Sequence, residues 1–205
     1  MNDKPPMKVL VHHIFHEIAS FLKLPESEFG VLDACPGNAI NALKSSNSVT
    51  VYPGGDRENS KPFSERYNID FFDHYGYIQL ALRARVPILP IVGIGGGETL
   101  FVLSSGDQIA KKTGLSKFLK LHTWPIYWSL PFGWHMGHFP FLSLPLPSQI
   151  TISVLPPFSI EKYSENDADN LEVLQQINED IVQLMQEEMD RLSEGRIPVI
   201  GKIED

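Results

Sequence analysis

Cysteine is almost absent from this chain of 205 residues, which contains a single thiol at Cys35. One cysteine excludes an internal disulfide framework and is typical of proteins that work in a reducing compartment. Cys35 lacks the helix-start or basic context that would mark a reactive thiolate. We therefore expect Cys35 to pack in or near the core.

Positive charge and long apolar runs are also scarce. Lys and Arg number 17 against 25 Asp and Glu, which gives a formal net charge of −8. A broad nucleic-acid surface is therefore not expected, because phosphate neutralisation needs clustered cations. No run of about 18 apolar residues occurs, and no signal-peptide cleavage site is visible. These absences predict a soluble or surface-bound protein.

The hydrophobic residues, 42% of the chain, are enough for one substantial core, so we expect a single domain over residues 1–205. Their pattern predicts an α/β fold in which a mixed β-sheet is flanked by helices. The last helix is the clearest, because an amphipathic segment of about 167–194 carries an apolar stripe and Gly195 follows as a stop signal. Helices are predicted at 8–22, 39–43 (with Asn38 as N-cap), 72–84, 107–112, 115–121 and 167–192, and strands at 48–52, 86–92, 99–103 and 149–155.

A charged turn follows the strand at 48–52, in what the order strand, helix, strand predicts to be a βαβ-like unit. Arg57 lies there beside two glycines, and a guanidinium at such a turn can bind a phosphate through paired hydrogen bonds. Asp56 and Glu58 either orient this arginine or partly cancel its charge. An ordinary surface ion pair is the alternative. The predicted substrate-binding residues are Pro53, Gly54, Gly55, Asp56, Arg57 and Glu58.

Residues 124–147 combine aromatic side chains and prolines with almost no charge. One interpretation is a hydrophobic loop that touches a membrane or an acyl chain, because Trp and Tyr favour the boundary between water and apolar phases. The other is a proline-rich cover over the core. The first is slightly favoured, because so large an apolar segment is unusual on a surface. The predicted contact residues are Trp124, Trp128, Phe132 and Trp134.

Two blocks of sequence resemble signatures of one enzyme family. Tyr52-Pro-Gly-Gly-Asp-Arg-Glu58 resembles the third block of the glycerolipid (lysophospholipid and glycerol-phosphate) acyltransferase superfamily, usually Phe-Pro-Glu-Gly-Thr-Arg. Its Pro-Gly-Gly form is similar to the diacylglycerol-acyltransferase-like branch. Val86-Pro-Ile-Leu-Pro-Ile-Val92 resembles the fourth block, and Gly76 to Ala81 resembles the Gly-Phe-x-x-Leu-Ala helix between them. The resemblance covers roughly residues 10–160.

This resemblance implies transfer of a fatty acyl group from acyl-CoA or acyl carrier protein to the hydroxyl of a lysophospholipid, glycerolipid or similar lipid. Arg57 would bind the phosphate or polar head of the acceptor. Gly54 stands where the family has glutamate, so that carboxylate's role is lost or passes to Glu58. No metal and no tightly bound cofactor are implied, and the expected location is peripheral, on the cytoplasmic face of a membrane.

The family's first block, a His-x4-Asp pair that supplies the general base, is missing from its expected place, so we expect an N-terminally truncated member. The nearest substitutes lie at residues 12–17. His12 and Glu17, five apart, would point about 140° away from each other on a helix. His13 and Glu17, four apart, would share a face and are the catalytic candidates, with structural histidines as the alternative. The alternative function is an inactive or truncated member that retains lipid or acyl binding.

Overall fold

The structure, a computed structural model, describes residues 7–11, 31–113, 122–131, 133–137 and 144–202. Within these ranges the chain is mixed α/β, with small sheets and a long C-terminal helix. The helices are α1 (Pro36–Lys44), α2 (Gly55–Asn59), α3 (Gly76–Ala84), α4 (Asp107–Lys112) and α5 (Leu171–Ser193). The strands are β1 (Met7–Val11), β2 (Val31–Asp33), β3 (Ser48–Thr50), β4 (Ile91–Ile94), β5 (Phe101–Ser104), β6 (Ile126–Ser129), β7 (Gly133–Met136) and β8 (Thr151–Val154).

The chain divides into two compact units. The first contains residues 1–53, 73–88 and 158–178, and the second contains residues 54–72, 89–157 and 179–205. Three separate sheets take the place of the one mixed sheet that the sequence predicts, with strand orders β2-β1-β3, β4-β8 and β5-β6-β7 in the described residues.

The first unit contains a parallel sheet with β1 at its centre. Val9 pairs with Val31 on one side and with Thr50 on the other. The predicted helix at 8–22 is therefore wrong for residues 8–11, where alternating valines suit a strand bonded on both edges. The remainder of that prediction, including His13 and Glu17, lies outside the described residues.

Helix α1 corrects two further predictions. It begins at Pro36, with Cys35 as its N-cap, so Asn38 lies inside the helix. Proline suits the first helical position because its missing N–H would have no partner there. Cys35 is exposed, so its predicted burial is wrong. The buried face of α1 consists of Ala39 and Ala42.

Helix α3 supplies further buried side chains of the parallel-sheet unit. Ile78 and Leu82 are fully buried, and the helix begins at Gly76, four residues later than predicted. The Tyr77 hydroxyl donates to Asn178 Oδ1 at 2.9 Å, and Gln79 Nε2 donates to the Ala168 carbonyl at 3.0 Å. These bonds hold α3 against the 3-10 turn at Glu165–Asp169 and the first turns of α5.

The predicted βαβ-like unit does not form. β3 joins the parallel sheet of the first unit, whereas β4 pairs antiparallel with β8 in the second. The predicted strand at 86–92 is found instead at Ile91–Ile94, beginning after the two prolines, because Pro87 and Pro90 have no N–H to donate. Before β4, Ile88 makes an isolated bridge to Phe158.

The second unit has a charged cluster in its interior. Glu98 is 0% exposed and forms an ion pair at 2.7 Å with Arg196, which is buried too. The carboxylate also accepts hydrogen bonds from the Tyr67 and Ser148 hydroxyls and from the Val199 N–H, at 2.6–2.9 Å. Burial alone would raise the pKa of Glu98, but these donors, Arg196 first, lower it to about 2. The cluster fastens the C-terminal segment to this unit.

The long C-terminal helix is confirmed with shifted bounds. The α-helix spans Leu171–Ser193, and Glu165–Asp169 forms a 3-10 turn closed by a capping box between Ser164 and Asp167. Its buried stripe consists of Leu174, Ile177, Ile181, Met185 and Met189, whereas Leu171 at the start of the helix is exposed. The predicted strand at 149–155 is found at Thr151–Val154. No helix among the described residues is long and apolar enough to cross a membrane.

Candidate functional site

The charged turn is helical. Gly54 acts as N-cap and α2 follows from Gly55 to Asn59, so a short helix stands where the charged turn was predicted. Gly55 has a φ of +57°, a left-handed conformation that glycine adopts readily. Asp56 and Glu58 in the first turn favour this helix, because carboxylates interact well with its N-terminal N–H groups.

The Asp56 carboxylate binds the segment that leads into β6. Its Oδ2 accepts hydrogen bonds from the backbone N–H groups of His122 and Thr123, at 2.7 and 3.2 Å. The hydroxyl of Thr123 lies 3.3 Å from the same oxygen and 3.0 Å from Ser60 Oγ. Thr123 and Ser60 are both buried. Asp56 is therefore a structural clamp on this segment.

Glu58 is paired with a lysine and folded back over Gly54. Its Oε2 lies 2.6 Å from Lys61 Nζ. Burial raises the pKa of Glu58, opposed by Lys61 and by a backbone hydrogen bond from Asp70. A Cβ placed on Gly54 would stand 2.5 Å from Glu58 Cβ and 3.0 Å from Glu58 Oε2. The Glu58 carboxylate thus occupies the space that a side chain at residue 54 would need.

Arg57 has neither acid as a partner. Among the residues that the structure describes, no carboxylate makes an ion pair with its guanidinium. Its Nε is buried without a hydrogen-bond partner in the same residues. The guanidinium carbon lies 5.0 Å from the centre of the Phe72 ring, which supports the cation by stacking. Within the described part of the chain, Arg57 is thus a held cation whose charge no carboxylate neutralises, and such a cation suits an anionic group.

A cavity of about 260 Å³ lies in the first unit, where the three parallel strands end. Leu10 of β1, Ala34 after β2 and Val51 after β3 line it, and Pro53 of the motif is also part of its wall. Ligands of α/β sheets commonly bind beyond the carboxyl ends of the strands. The remaining lining residues are Cys35, Pro36, Ala39, Ile40, His74, Gly76, Tyr77, Gln79, Leu80 and Arg83.

This cavity was missed by sequence reasoning. His74, Cys35 and Arg83 are its chemically distinctive members, and none was a candidate. Ligands often bind at the carboxyl ends of parallel strands, and this rule could have pointed to these residues. It could not be applied to the sequence because β1 was predicted to be part of a helix. Its volume lies below the roughly 300 Å³ at which pockets for whole small molecules begin. The cavity therefore fits a part of a ligand, and the aliphatic side chains in its wall suit an apolar part.

The aromatic segment forms a hairpin instead of a loop. β6 and β7 pair antiparallel, with Trp128 opposite Trp134, and β5 adds Phe101 opposite Trp128. Directly opposed residues share a face, and these three side chains are exposed, whereas Val102, Tyr127 and Ser129 on the other face are buried. We call Phe101, Trp128, Leu130, Trp134 and Met136, all exposed, the aromatic sheet surface.

The four predicted contact residues have different positions. Trp128 and Trp134 are outward members of the aromatic sheet surface, at 37% and 63% exposure. Trp124 is half-buried: a Cβ on Gly137 would lie 2.6 Å from its ring, and one on Gly106 would meet its carbonyl. Trp124 therefore packs against Gly137, just beyond the end of β7. Phe132 lies outside the described residues.

No group of His, Cys, Asp and Glu among the described residues has the arrangement of a metal site. No family model matches this chain, and no solved structure matches it. The chain is similar to uncharacterised mycobacterial proteins. Over 163 residues it is 29% identical to proteins of Mycobacterium tuberculosis and Mycobacterium bovis, and 26% identical to one of Mycobacterium leprae. The match covers 80% of this chain, which spans about two fifths of the length of these relatives.

Proposed function

We propose that this chain is a glycerolipid-type acyltransferase with an acyltransferase-like α/β fold. It would move a fatty acyl group from acyl-CoA or acyl carrier protein to the hydroxyl of a lysophospholipid or related lipid. The observation that carries the proposal is the state of Arg57. Asp56 and Glu58 bind other groups, so the positive charge of Arg57 is left for an acceptor phosphate.

In this reaction the acceptor hydroxyl attacks the thioester carbonyl, the carbon–sulfur bond breaks and the thiol leaves. Arg57 positions the acceptor by a charge-assisted, bidentate contact with its phosphate. The hydroxyl proton passes to a general base, for which the sequence offers His13 with Glu17. Those two residues lie outside the described part of the chain.

Two further features support the proposal. The Glu58 side chain lies in the space beside Gly54. Its carboxylate, one helical turn later, would take the place of the glutamate that the family has at the position of Gly54. The cavity at the carboxyl ends of β1, β2 and β3 has aliphatic side chains in its wall that suit a stretch of acyl chain. Neither feature requires a bound metal or a tightly held cofactor.

The test is acceptor-dependent release of thiol from a long-chain acyl-CoA, with lysophosphatidic acid and monoacylglycerol as the two acceptors. Cys35 is exposed and would react with a thiol reagent, so its single equivalent is measured in a reaction without acceptor and subtracted. Thiol release only when an acceptor is present supports the proposal. Absence of release with both acceptors, and with acyl carrier protein as the donor, refutes it.

The role of Arg57 is tested by Arg57→Ala and Arg57→Lys. Loss of a charge-assisted contact should raise KM for lysophosphatidic acid by about tenfold or more, while monoacylglycerol, which has no phosphate, is used as before. Arg57→Lys should recover part of the loss, since lysine keeps the charge without the bidentate fork. Arg191→Ala is the matched control, because Arg191 is exposed and paired with Glu188. Equal losses with both acceptors would contradict a phosphate contact.

A second candidate is a protein that binds lipid without acyl transfer. The exposed aromatic sheet surface supports it, because contact with lipid through such a surface needs no catalytic residue. The two candidates differ in the thiol assay. Vesicle binding without thiol release from any donor would select the non-catalytic candidate.

A further inference from the structure

Most of the aromatic sheet surface comes from a stretch of sequence that has no charged side chains. From Leu121 to Ile160 the chain contains no Asp, Glu, Lys or Arg, although 20% of all residues are charged and about eight would be expected. This stretch supplies β6 and β7. A continuous apolar surface with no charge of its own is a mark of an interaction site.

We infer that the aromatic sheet surface docks onto a zwitterionic lipid bilayer. This inference deepens the proposed function, on which it rests, by naming the surface that meets the lipid acceptor. Trp128 and Trp134 supply indole rings, which favour the interfacial layer because they combine an apolar body with an N–H donor. Leu130 and Met136 add exposed aliphatic area beside them.

Charge selects the kind of membrane. The chain carries a formal net charge of −8, which opposes approach to an anionic bilayer. The docking surface itself is neutral, so it matches a lipid surface without net charge. One cation stands at the edge: Arg66 lies 4.2 Å from the Phe63 ring, and that ring lies 4.9 Å from Phe101. Arg66 is thus within the reach of a headgroup phosphate when Phe101 meets the bilayer.

The test measures partition of the protein into phosphatidylcholine vesicles, with quenching of tryptophan fluorescence by brominated phosphatidylcholine as the depth probe. Trp134→Ser and Met136→Ser should each weaken partition, by about fivefold or more for the tryptophan. Leu171→Ser is the matched control, since Leu171 is 57% exposed and belongs to α5. Its partition should equal that of the wild type. Far-UV circular dichroism establishes that each variant is folded.

Added salt should leave the partition unchanged, because no charge attraction drives it. Unquenched tryptophans, or equal partition of Trp134→Ser, Met136→Ser and wild type, would overturn the inference. So would a dimer in lipid-free solution that Trp134→Ser converts to monomer, because the surface would then be covered by a second copy. Vesicle partition is measured without acyl donor. Intact partition without thiol release would refute the proposed function alone, and thiol release with a soluble short-chain acceptor but no partition would refute the docking alone.

Discussion

A substitution at Gly54 tests whether the Glu58 side chain fills the space beside residue 54. Its φ and ψ, −68° and −18°, are ordinary for any residue. Without a steric obstacle, Gly54→Ala should therefore stabilise the protein by about 0.4–1 kcal/mol through the unfolded state. The structure predicts the opposite sign. The new Cβ would stand 2.5 Å from Glu58 Cβ, about 1 Å closer than carbon atoms normally approach.

Overpacking of this kind costs about 1–3 kcal/mol. Glu58→Gly removes the obstructing Cβ, so Gly54→Ala should become neutral or stabilising in that background. A double-mutant cycle would then give a coupling free energy of about 1–3 kcal/mol between residues 54 and 58, because the unfolded-state gain is the same in both backgrounds and cancels. Gly93→Ala is the matched control, because nothing lies within 4 Å of its Cβ position.

Urea unfolding followed by tryptophan fluorescence is the appropriate assay. All three tryptophans lie in the second unit, which also holds Gly54 and Glu58, so the signal reports the unit that is perturbed. This matters because a chain of two units need not unfold in one step. Wild-type or higher stability for Gly54→Ala would refute the reasoning. Equal destabilisation by Gly54→Ala in the wild-type and Glu58→Gly backgrounds would also refute it.

Two other predictions concern stability and exposure. Glu98→Gln should destabilise the second unit by about 3–5 kcal/mol, because Arg196 is left as a buried charge without its partner. The pKa of Glu98 is about 2 in the folded protein against an ordinary 4.5, so its contribution is complete above pH 4.5 and is lost as the pH falls towards 2. The stability difference between wild type and Glu98→Gln, followed by urea unfolding, should shrink in that window, and a difference independent of pH would contradict the role of the carboxylate. Cys35 should react with one equivalent of a thiol reagent in the native protein as fast as in urea, whereas slow native reaction would mean that the thiol is buried.

Helix α5 and strand β8 were predictable because their signals are local. An apolar stripe of period 3.6 that continues over more than 20 residues is specific to an amphipathic helix, and alternation at residues 151–154 indicates a strand. Their ends shifted by a few residues, as turn chemistry at Ser164 and Asp167 replaced the first predicted turn of the helix.

Strand β1 was not predictable for the converse reason. Residues 9–11 are a short apolar run, which is compatible with a helix or a buried strand. What makes them a strand is pairing with residues 31–33 and 48–50, and that pairing is distant in the sequence. The cavity at the carboxyl ends of this sheet depends on the same pairing, so it was hidden as well.

Helix α2 explains why Asp56, Arg57 and Glu58 contact three different groups. In a loop, an acid-Arg-acid triplet can fold into a neutral cluster, which is why the sequence left the state of Arg57 open. In a helix, successive side chains point about 100° apart, so three neighbours leave in three directions. Asp56 meets the segment before β6, Glu58 meets Lys61, and Arg57 stacks on Phe72. The five residues of α2 thus separate charges that are adjacent in the sequence, and among the described residues this separation leaves Arg57 without a carboxylate partner.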